Sequence, residues 1–533
     1  MSTMSRFLTL FHRLRIEAQE FVRREPLLVY IVVVGILVRA YAFGSIPPGL
    51  NQDEASSAYD AFALLTHGID RNGFPYPVML VSWGSGMHAL AGYISMPFLW
   101  LFGLSIFSTR LPHLLIGILT LPLFFVYMTD IAGRRAGMIA LFLLVIAPWH
   151  IMISRWGLES NQFPPLFLLG TFLAARSEKI PKLLPYAFAC FALCLYAYGT
   201  SYIVIAAFLT MSVPWMLWKK KWRLHPAIIS CVVFAAIALP IALYLLINTR
   251  QLPSIVTPFF SIPRLSGVPR FQTMGNLGIG SWEFYVEAGK NLATAWRLFL
   301  TQDDGLIWNA IPGYGILYVL SPPFMAIGLV SAIFMFIRRR SASLFLLLAW
   351  FLSAVVLTAF VSVNINRVNI IMFPLIAFAA IGVSVLWRSR VAFGLVIATF
   401  LFLFVRFTVT YFIEYPKMIG PAFFESLTEA IAEAAAADPT GTICVTGNVN
   451  MPYIFALFAT KEDPNVFVRT VKYGNPGAEF QGVESYGRFL FGLDRCGDPS
   501  IRTFVIRQDE LGSLRAGSSS VQPMGQYAVV RFP

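Results

Sequence analysis

Apolar positions along this chain fall in long blocks separated by short polar turns, the pattern of helices embedded in lipid rather than of amphipathic helices around a soluble core. The first block runs from about Leu27 to Phe43. Others follow near Leu111 to Met128, Met138 to Met152, Phe163 to Ala175, Leu183 to Tyr198, Tyr202 to Trp218, Pro226 to Ile247, Tyr314 to Ile337 and Leu344 to Val361. A tenth ends at Arg388 and Arg390, and an eleventh runs near Val391 to Ile413. The stretch from Met87 to Gly103 carries Gly92 and Pro97 and is short for a span, so it is expected to lie along the interface as a juxtamembrane helix. Beyond Glu414 the pattern becomes mixed. It predicts helices near Phe423 to Ala437 and Pro452 to Ala459, and strands at Thr442 to Thr446, Val466 to Val471 and Thr503 to Arg507.

Composition agrees. Of 533 residues, 57% are hydrophobic and 13% charged, which excludes a soluble globule. The expected fold is therefore a polytopic α-helical membrane protein of about eleven transmembrane helices with a small C-terminal α/β extracytoplasmic domain. It divides into a basic leader (1–26), a transmembrane region (27–413) with outer loops at 44–110 and 248–313, and the tail domain (414–533), of a size able to hold its own core.

The net charge of +13 does not point to nucleic acid, because the basic residues cluster between apolar runs. Arg6, Arg13, Arg15, Arg23 and Arg24 precede the first span, and no small-residue cleavage site follows it, so this span is expected to remain in the mature protein with the N-terminus cytoplasmic. Arg134 and Arg135, Arg176 with Lys179 and Lys182, Lys219 to Lys221 with Arg223, and Arg338 to Arg340 then mark cytoplasmic turns, and eleven spans place the tail outside. Cys444 and Cys496 are the two cysteines of the tail. Paired, they close a loop worth about 4 kcal/mol in the chain-entropy model; two buried thiols are the alternative.

Candidate chemistry begins at Asn51-Gln52-Asp53-Glu54, where two carboxylates open a helix-periodic segment containing Tyr59. At a helix start the dipole favours their charged form. Asp53 reads equally as a helix cap and as a group that accepts a proton or holds a cation. Ser154 to Glu159 supplies a second acidic site on the same side; Arg155 and Glu159, four residues apart, also read as an ordinary interfacial ion pair. In the long outer loop, Trp308 and other aromatics suit either sugar stacking or headgroup anchoring. No phosphate-binding P-loop and no Cys/His cluster with zinc spacing is present.

Taken in order, the Asp53-Glu54 pair, Gly68-Ile69-Asp70-Arg71-Asn72-Gly73-Phe74-Pro75, Arg110-Leu111-Pro112, and Ala147-Pro148-Trp149-His150 with Arg155 and Glu159 resemble the GT-C glycosyltransferases that use polyprenyl-phosphate sugars. The chain is similar above all to the bacterial branch of protein O-mannosyltransferases and the aminoarabinose transferase of lipid A. The resemblance implies an inverting transferase on the outer face of the plasma membrane, moving a sugar from a polyprenyl-phosphate donor to a hydroxyl of a protein, lipid or glycan.

By the same resemblance Asp53 is the catalytic base, with Glu54 and Glu159 orienting the site or the acceptor, and Arg155, Arg110 and Arg367 are candidates for the departing phosphate. An arginine at a span boundary also serves as a snorkelling anchor. Tyr59, His88, His150 and Trp308 are candidates for holding substrate. No cofactor is required; the acids could hold a divalent ion, as in the related oligosaccharyltransferases, and none is assumed. The aminoarabinose branch carries a Lys in its first loop where this chain has Trp83-Gly84-Ser85-Gly86-Met87-His88, which argues against a lipid A acceptor. A transporter or flippase is the competing class; it predicts an internal repeat and charges at the membrane midplane, and neither is seen in the sequence.

Overall fold

A computed structural model describes residues 23–270, 278, 280–514 and 519–533. Arg6, Arg13 and Arg15 of the basic leader lie outside the described residues. Each of the eleven predicted spans coincides with a helix: Pro26–Ala40, Ile106–Ala132, Arg134–Ile146, Phe163–Arg176, Leu184–Cys194, Ser201–Trp218, Leu224–Arg250, Pro322–Arg339, Ala342–Phe360, Met372–Val385 and Arg390–Val409. Among the described residues, seven helical segments are long and apolar enough to cross a membrane unaided. The others are shorter and pack against these or against one another.

Two spans end differently from expectation. The third stops at Ile146, because Pro148 cannot continue the ladder, and a separate short helix Pro148–Ile153 follows. The eighth starts at Pro322 rather than near Tyr314, since the Pro322-Pro323 pair suits a first turn. The juxtamembrane stretch contains the helix Leu90–Phe102, with Met87 and His88 outside it in a strand. Arg134 pairs with Glu25, Arg176 with Asp130 at 2.6 Å and Lys221 with Glu178 at 2.7 Å, so basic turns gather at one end of the bundle.

In the first outer loop, β1 (Met79–Leu80) and β2 (Met87–His88) form a hairpin whose turn carries Trp83 and Ser85. In the long loop, β3 (Ile255–Val256) and β4 (Ser261–Ile262) form a second hairpin, joined to the first loop by Val78 N donating to Ser261 O at 2.9 Å. The helix Trp282–Thr301 follows, with Trp282 and Trp296 exposed on a largely apolar face.

The tail forms one mixed sheet of β5 (Ile443–Val445), β6 (Lys472–Tyr473), β7 (Val483–Tyr486), β8 (Phe489–Phe491), β9 (Thr503–Arg507), β10 (Ser520–Met524) and β11 (Tyr527–Arg531), in the order β10-β11-β9-β5-β8-β7-β6. β5 runs parallel to β8 and β9; the remaining pairs are antiparallel. The strand expected at Val466 to Val471 is instead the helix Pro464–Thr470: Asp463 caps it, accepting from Asn465 N at 2.8 Å, and Pro464 fills its first turn. Cys444 and Cys496 are disulfide-bonded.

The inner layer of this sheet does not close on itself. Tyr453, Phe455, Phe467 and Tyr486 form one apolar cluster with Ala55, Ala58 and Tyr59 of the helix Gln52–His67 and with Trp83. The tail and the first outer loop therefore share a core.

Candidate active site

Asn51 starts the helix Gln52–His67 as its cap: its Oδ1 accepts from Asp53 N at 2.9 Å, while Glu54 Oε2 accepts from Asn51 N at 3.2 Å. The capping reading of Asp53 is thereby excluded. Its carboxylate is instead directed to Trp83, whose Nε1 donates to Oδ1 at 3.1 Å. Trp83 is itself held from behind, with the Arg71 guanidinium 5.0 Å from its ring centroid and Tyr453 edge-on at 6.0 Å. Arg71 is anchored in turn by the buried Asp60 at 3.0 Å and by Ser56 Oγ at 2.9 Å.

A cleft of about 450 Å³ opens at Asp53. Asp53, Glu159, Arg270 and Arg367 are its charged lining; Trp308, Trp156, Tyr198 and Phe424 supply rings, and Asn51, Gln52, Asn364, Asn366 and Asn450 supply amides. Residues that follow the first, third and ninth spans thus meet on one side, as an even number of intervening crossings requires.

Glu159 opens a short 3₁₀ turn, Glu159–Gln162. Its Oε2 accepts from His88 N at 2.7 Å, and its Oε1 lies 3.9 Å from Arg270 Nη1. The His88 imidazole contacts Tyr202 OH at 3.1 Å. Arg270 reaches the cleft from the long loop: its backbone N donates to Ser85 O at 2.9 Å and its guanidinium stacks 5.2 Å from the Phe480 ring centroid. On another wall, Asp304 Oδ2 accepts from both Asn309 Nδ2 and Ile365 N at 2.8 Å, which ties the Trp308 turn to the Arg367 segment. Asn364 caps that segment through Arg367 N at 2.9 Å, and Arg367 Nη1 donates to Ser362 O at 3.1 Å.

Burial raises the Asp53 carboxyl above its ordinary value; Arg270 draws it down, Glu159 raises it, and the Trp83 hydrogen bond lowers it again. Asp53 is thus a carboxyl whose affinity for a proton is raised chiefly by burial and adjusted in opposite directions by two charged neighbours in the same cleft.

Six of the candidate residues lie outside the cleft lining and are used elsewhere. Glu54 and Arg110 form a fully buried pair, Nε to Oε1 at 2.9 Å and Nη2 to Oε2 at 2.8 Å. Gly157 N also donates to Glu54 Oε1 at 2.5 Å, and Arg110 donates to Pro47 O and Gly49 O. Neither group faces the cleft; together they bind the helix start to the loop carrying Glu159. Arg155 is buried and makes no pair with Glu159: it donates to the carbonyls of Arg39, Ala42 and Ile46, at and just beyond the end of the first span. His150 accepts from Arg39, itself bound to the carbonyls of Leu144 and Val145 freed by the Pro148 break. Tyr59 is buried against the tail and donates to Glu462 O at 2.6 Å. His88 braces Glu159 from behind.

The residues that sequence reasoning missed are Arg270, Trp83, Tyr198, Asn364, Asn366 and Asn450. In the sequence Arg270 is one of several charges in the long outer loop, with Arg264, Asp303 and Asp304, and nothing there singles it out; Trp83 stands only in the stretch that departs from the related branch. That departure now has a structural counterpart: the turn lacking a Lys receives Arg270 on its Ser85 carbonyl. Among the described residues, no group of three or more His, Cys, Asp or Glu could hold a metal ion.

No family model matches the sequence, nor does any curated protein sequence. The fold does have solved counterparts. ArnT from Cupriavidus metallidurans bound to undecaprenyl phosphate is similar with a TM-score of 0.56 at 13% identity, over 95% of this chain and 98% of that one. The apo form of the same protein gives 0.53 at 13% identity, over 99% and 98%. At this identity the likeness is one of fold: a polytopic helical membrane protein with a C-terminal sheet domain, as the sequence led one to expect.

Proposed function

We propose that this chain is a glycosyltransferase that moves a sugar from a polyprenyl-phosphate donor to an acceptor hydroxyl, with inversion, at the outer face of the plasma membrane. The observation that carries the reading is the meeting of Asp53, Glu159, Arg270 and Arg367 in one cleft built on a GT-C fold. The ArnT structure of the same fold holds undecaprenyl phosphate.

In the proposed reaction, the acceptor oxygen attacks the anomeric carbon while the bond from that carbon to the phosphate oxygen breaks. The hydroxyl proton passes to Asp53, and the phosphate departs with its electron pair toward a guanidinium. Arg367 suits that role, since its planar fork can bind two oxygens. Burial raises the proton affinity of Asp53, Arg270 and Glu159 adjust it in opposite directions, and Trp83 fixes the direction of the carboxylate.

The carrier chain has a seat available. Val368, Ile371 and Met372 follow Arg367 directly and line a small apolar cavity that shares Phe299, Met325 and Leu375 with a larger one of about 300 Å³ beside Trp296, Phe351 and Phe378. A phosphate at Arg367 with its chain in these cavities satisfies both ends of an amphipathic donor. The basic turns gathered at one end of the bundle support a cytoplasmic face there and an external cleft.

The test is turnover of labelled polyprenyl-phosphate sugars by full-length protein in lipid, compared with Asp53→Asn. Wild type is expected to release the carrier phosphate, and the variant to lose at least about 100-fold in rate while keeping its melting temperature. Turnover unaffected by Asp53→Asn overturns the assignment of the base. Movement of intact donor across the bilayer without consumption identifies a transporter instead.

A further inference from the structure

We propose that the tail domain forms the acceptor wall of the cleft, and that the acceptor it selects is the hydroxyl of an uncharged sugar. This rests on the transferase reading and adds what receives the glycosyl group.

Three residues of the cleft, Ala422, Phe424 and Asn450, come from the chain beyond the last span. Asn450 is exposed and lies between β5 and the helix Pro452–Thr460. It therefore stands past the carboxyl end of a strand flanked in parallel by β8 and β9, where open α/β sheets hold ligands. Its loop is braced from below: Glu510 Oε1 accepts from Thr446 Oγ1 at 2.9 Å and from Asn448 Nδ2 at 2.5 Å.

The loop is also tied to the reacting centre. Tyr453, three residues on, packs against Trp83, and Trp83 donates to Asp53. Gln481 N donates to Trp83 O at 2.9 Å, and Gln481 Nε2 to Ser266 Oγ at 3.0 Å in the strap that carries Arg270. A group held by Asn450 is thereby registered against the Asp53 carboxylate.

Charge selects the kind of acceptor. The lining contains two carboxylates, Asp53 and Glu159, and two guanidinium groups, Arg270 and Arg367, so it is balanced. A donor phosphodiester adds one negative charge. A phosphorylated or carboxylated acceptor would then enter a net negative site, an arrangement that discriminates against it. The tail contributes no charge to the lining; it offers an aromatic ring at Phe424 and an amide at Asn450, which match the apolar face and the hydroxyls of a sugar ring.

The experiment uses full-length protein in lipid with a donor it consumes, and three acceptor probes: a neutral methyl disaccharide, its phosphate ester and a Ser/Thr peptide. Transfer is expected to the neutral disaccharide. Asn450→Ala should raise the KM for that acceptor about tenfold, and Asn450→Asp further, with the donor KM within about twofold of wild type. A peptide used in preference to the disaccharide, a phosphate ester used as well as the neutral compound, or an effect of Asn450→Ala confined to donor KM would each overturn the proposal while leaving the transferase reading intact. An acceptor KM unmoved by both substitutions overturns it too. Absence of any donor consumption by wild type is the separate failure of the transferase reading, and this proposal falls with it.

Discussion

Asp53 and Glu54 are adjacent in sequence and opposite in use, and the difference is geometric. Successive helical residues point about 100° apart, so at a helix start one carboxylate turns into the protein and the other toward the cleft. Glu54 turns inward and is matched by Arg110, Asn51 N and Gly157 N. Asp53 keeps one strong partner, Trp83. Its proton affinity is raised by burial and by Glu159 and lowered by Arg270, so the deprotonated, active form is lost as pH falls through a value above the ordinary carboxylate range of about 3.9. The acid limb of a kcat/KM profile is expected to move to higher pH in Arg270→Gln, which removes a lowering influence, and to lower pH in Glu159→Gln, which removes a raising one. Profiles of the two variants shifting in the same direction, or not at all, would show that another group titrates.

At the scale of elements, the site depends on how helix ends and loops are tied. The Glu54–Arg110 pair joins the start of the helix Gln52–His67, the loop at Pro47 and Gly49, and the segment before Glu159. Removing one partner leaves the other charged and buried, so Glu54→Ala is expected to destabilise the protein by roughly 3–5 kcal/mol. A lowered thermal midpoint should accompany it. Arg110→Ala should do the same, and a melting temperature unchanged in both variants would contradict the structural role assigned to the pair. The helical spans themselves were legible in the sequence, because a run of apolar residues in lipid must satisfy its backbone internally. Their ends were less so: the break at Pro148 and the late start at Pro322 followed local proline chemistry that block hydrophobicity averages away.

For the whole molecule, the seam between tail and first outer loop is decisive. Leu50 N donates to Phe423 O at 2.7 Å, and Gly49 beside it has φ +73. A Cβ there would collide with the Phe423 carbonyl, and the left-handed backbone disfavours any side chain. Gly49→Val is therefore expected to loosen the tail, measured as faster proteolysis near residues 414–426, and to reduce transfer in parallel. Cleavage and transfer both equal to wild type would show that the seam is not required. Because Tyr59, Trp83 and Tyr453 share one core, the tail and the Asp53 helix are expected to melt together rather than in two steps.

The sequence by itself determined the membrane architecture, the positions of eleven helices, the placement of the Asp53 and Glu159 loops on one side, and two of the seven strands of the tail, β5 and β9. These follow from local composition and from the parity of crossings, which need no knowledge of packing. Only the tertiary structure decided which charges face the cleft. Arg155 and Arg110 resemble phosphate ligands in sequence, yet open backbone carbonyls and the Glu54 carboxylate claim them. Arg270 and Asn450 reach the site from loops far along the chain. A guanidinium goes where acceptors remain unsatisfied, and that inventory exists only after the chain has folded.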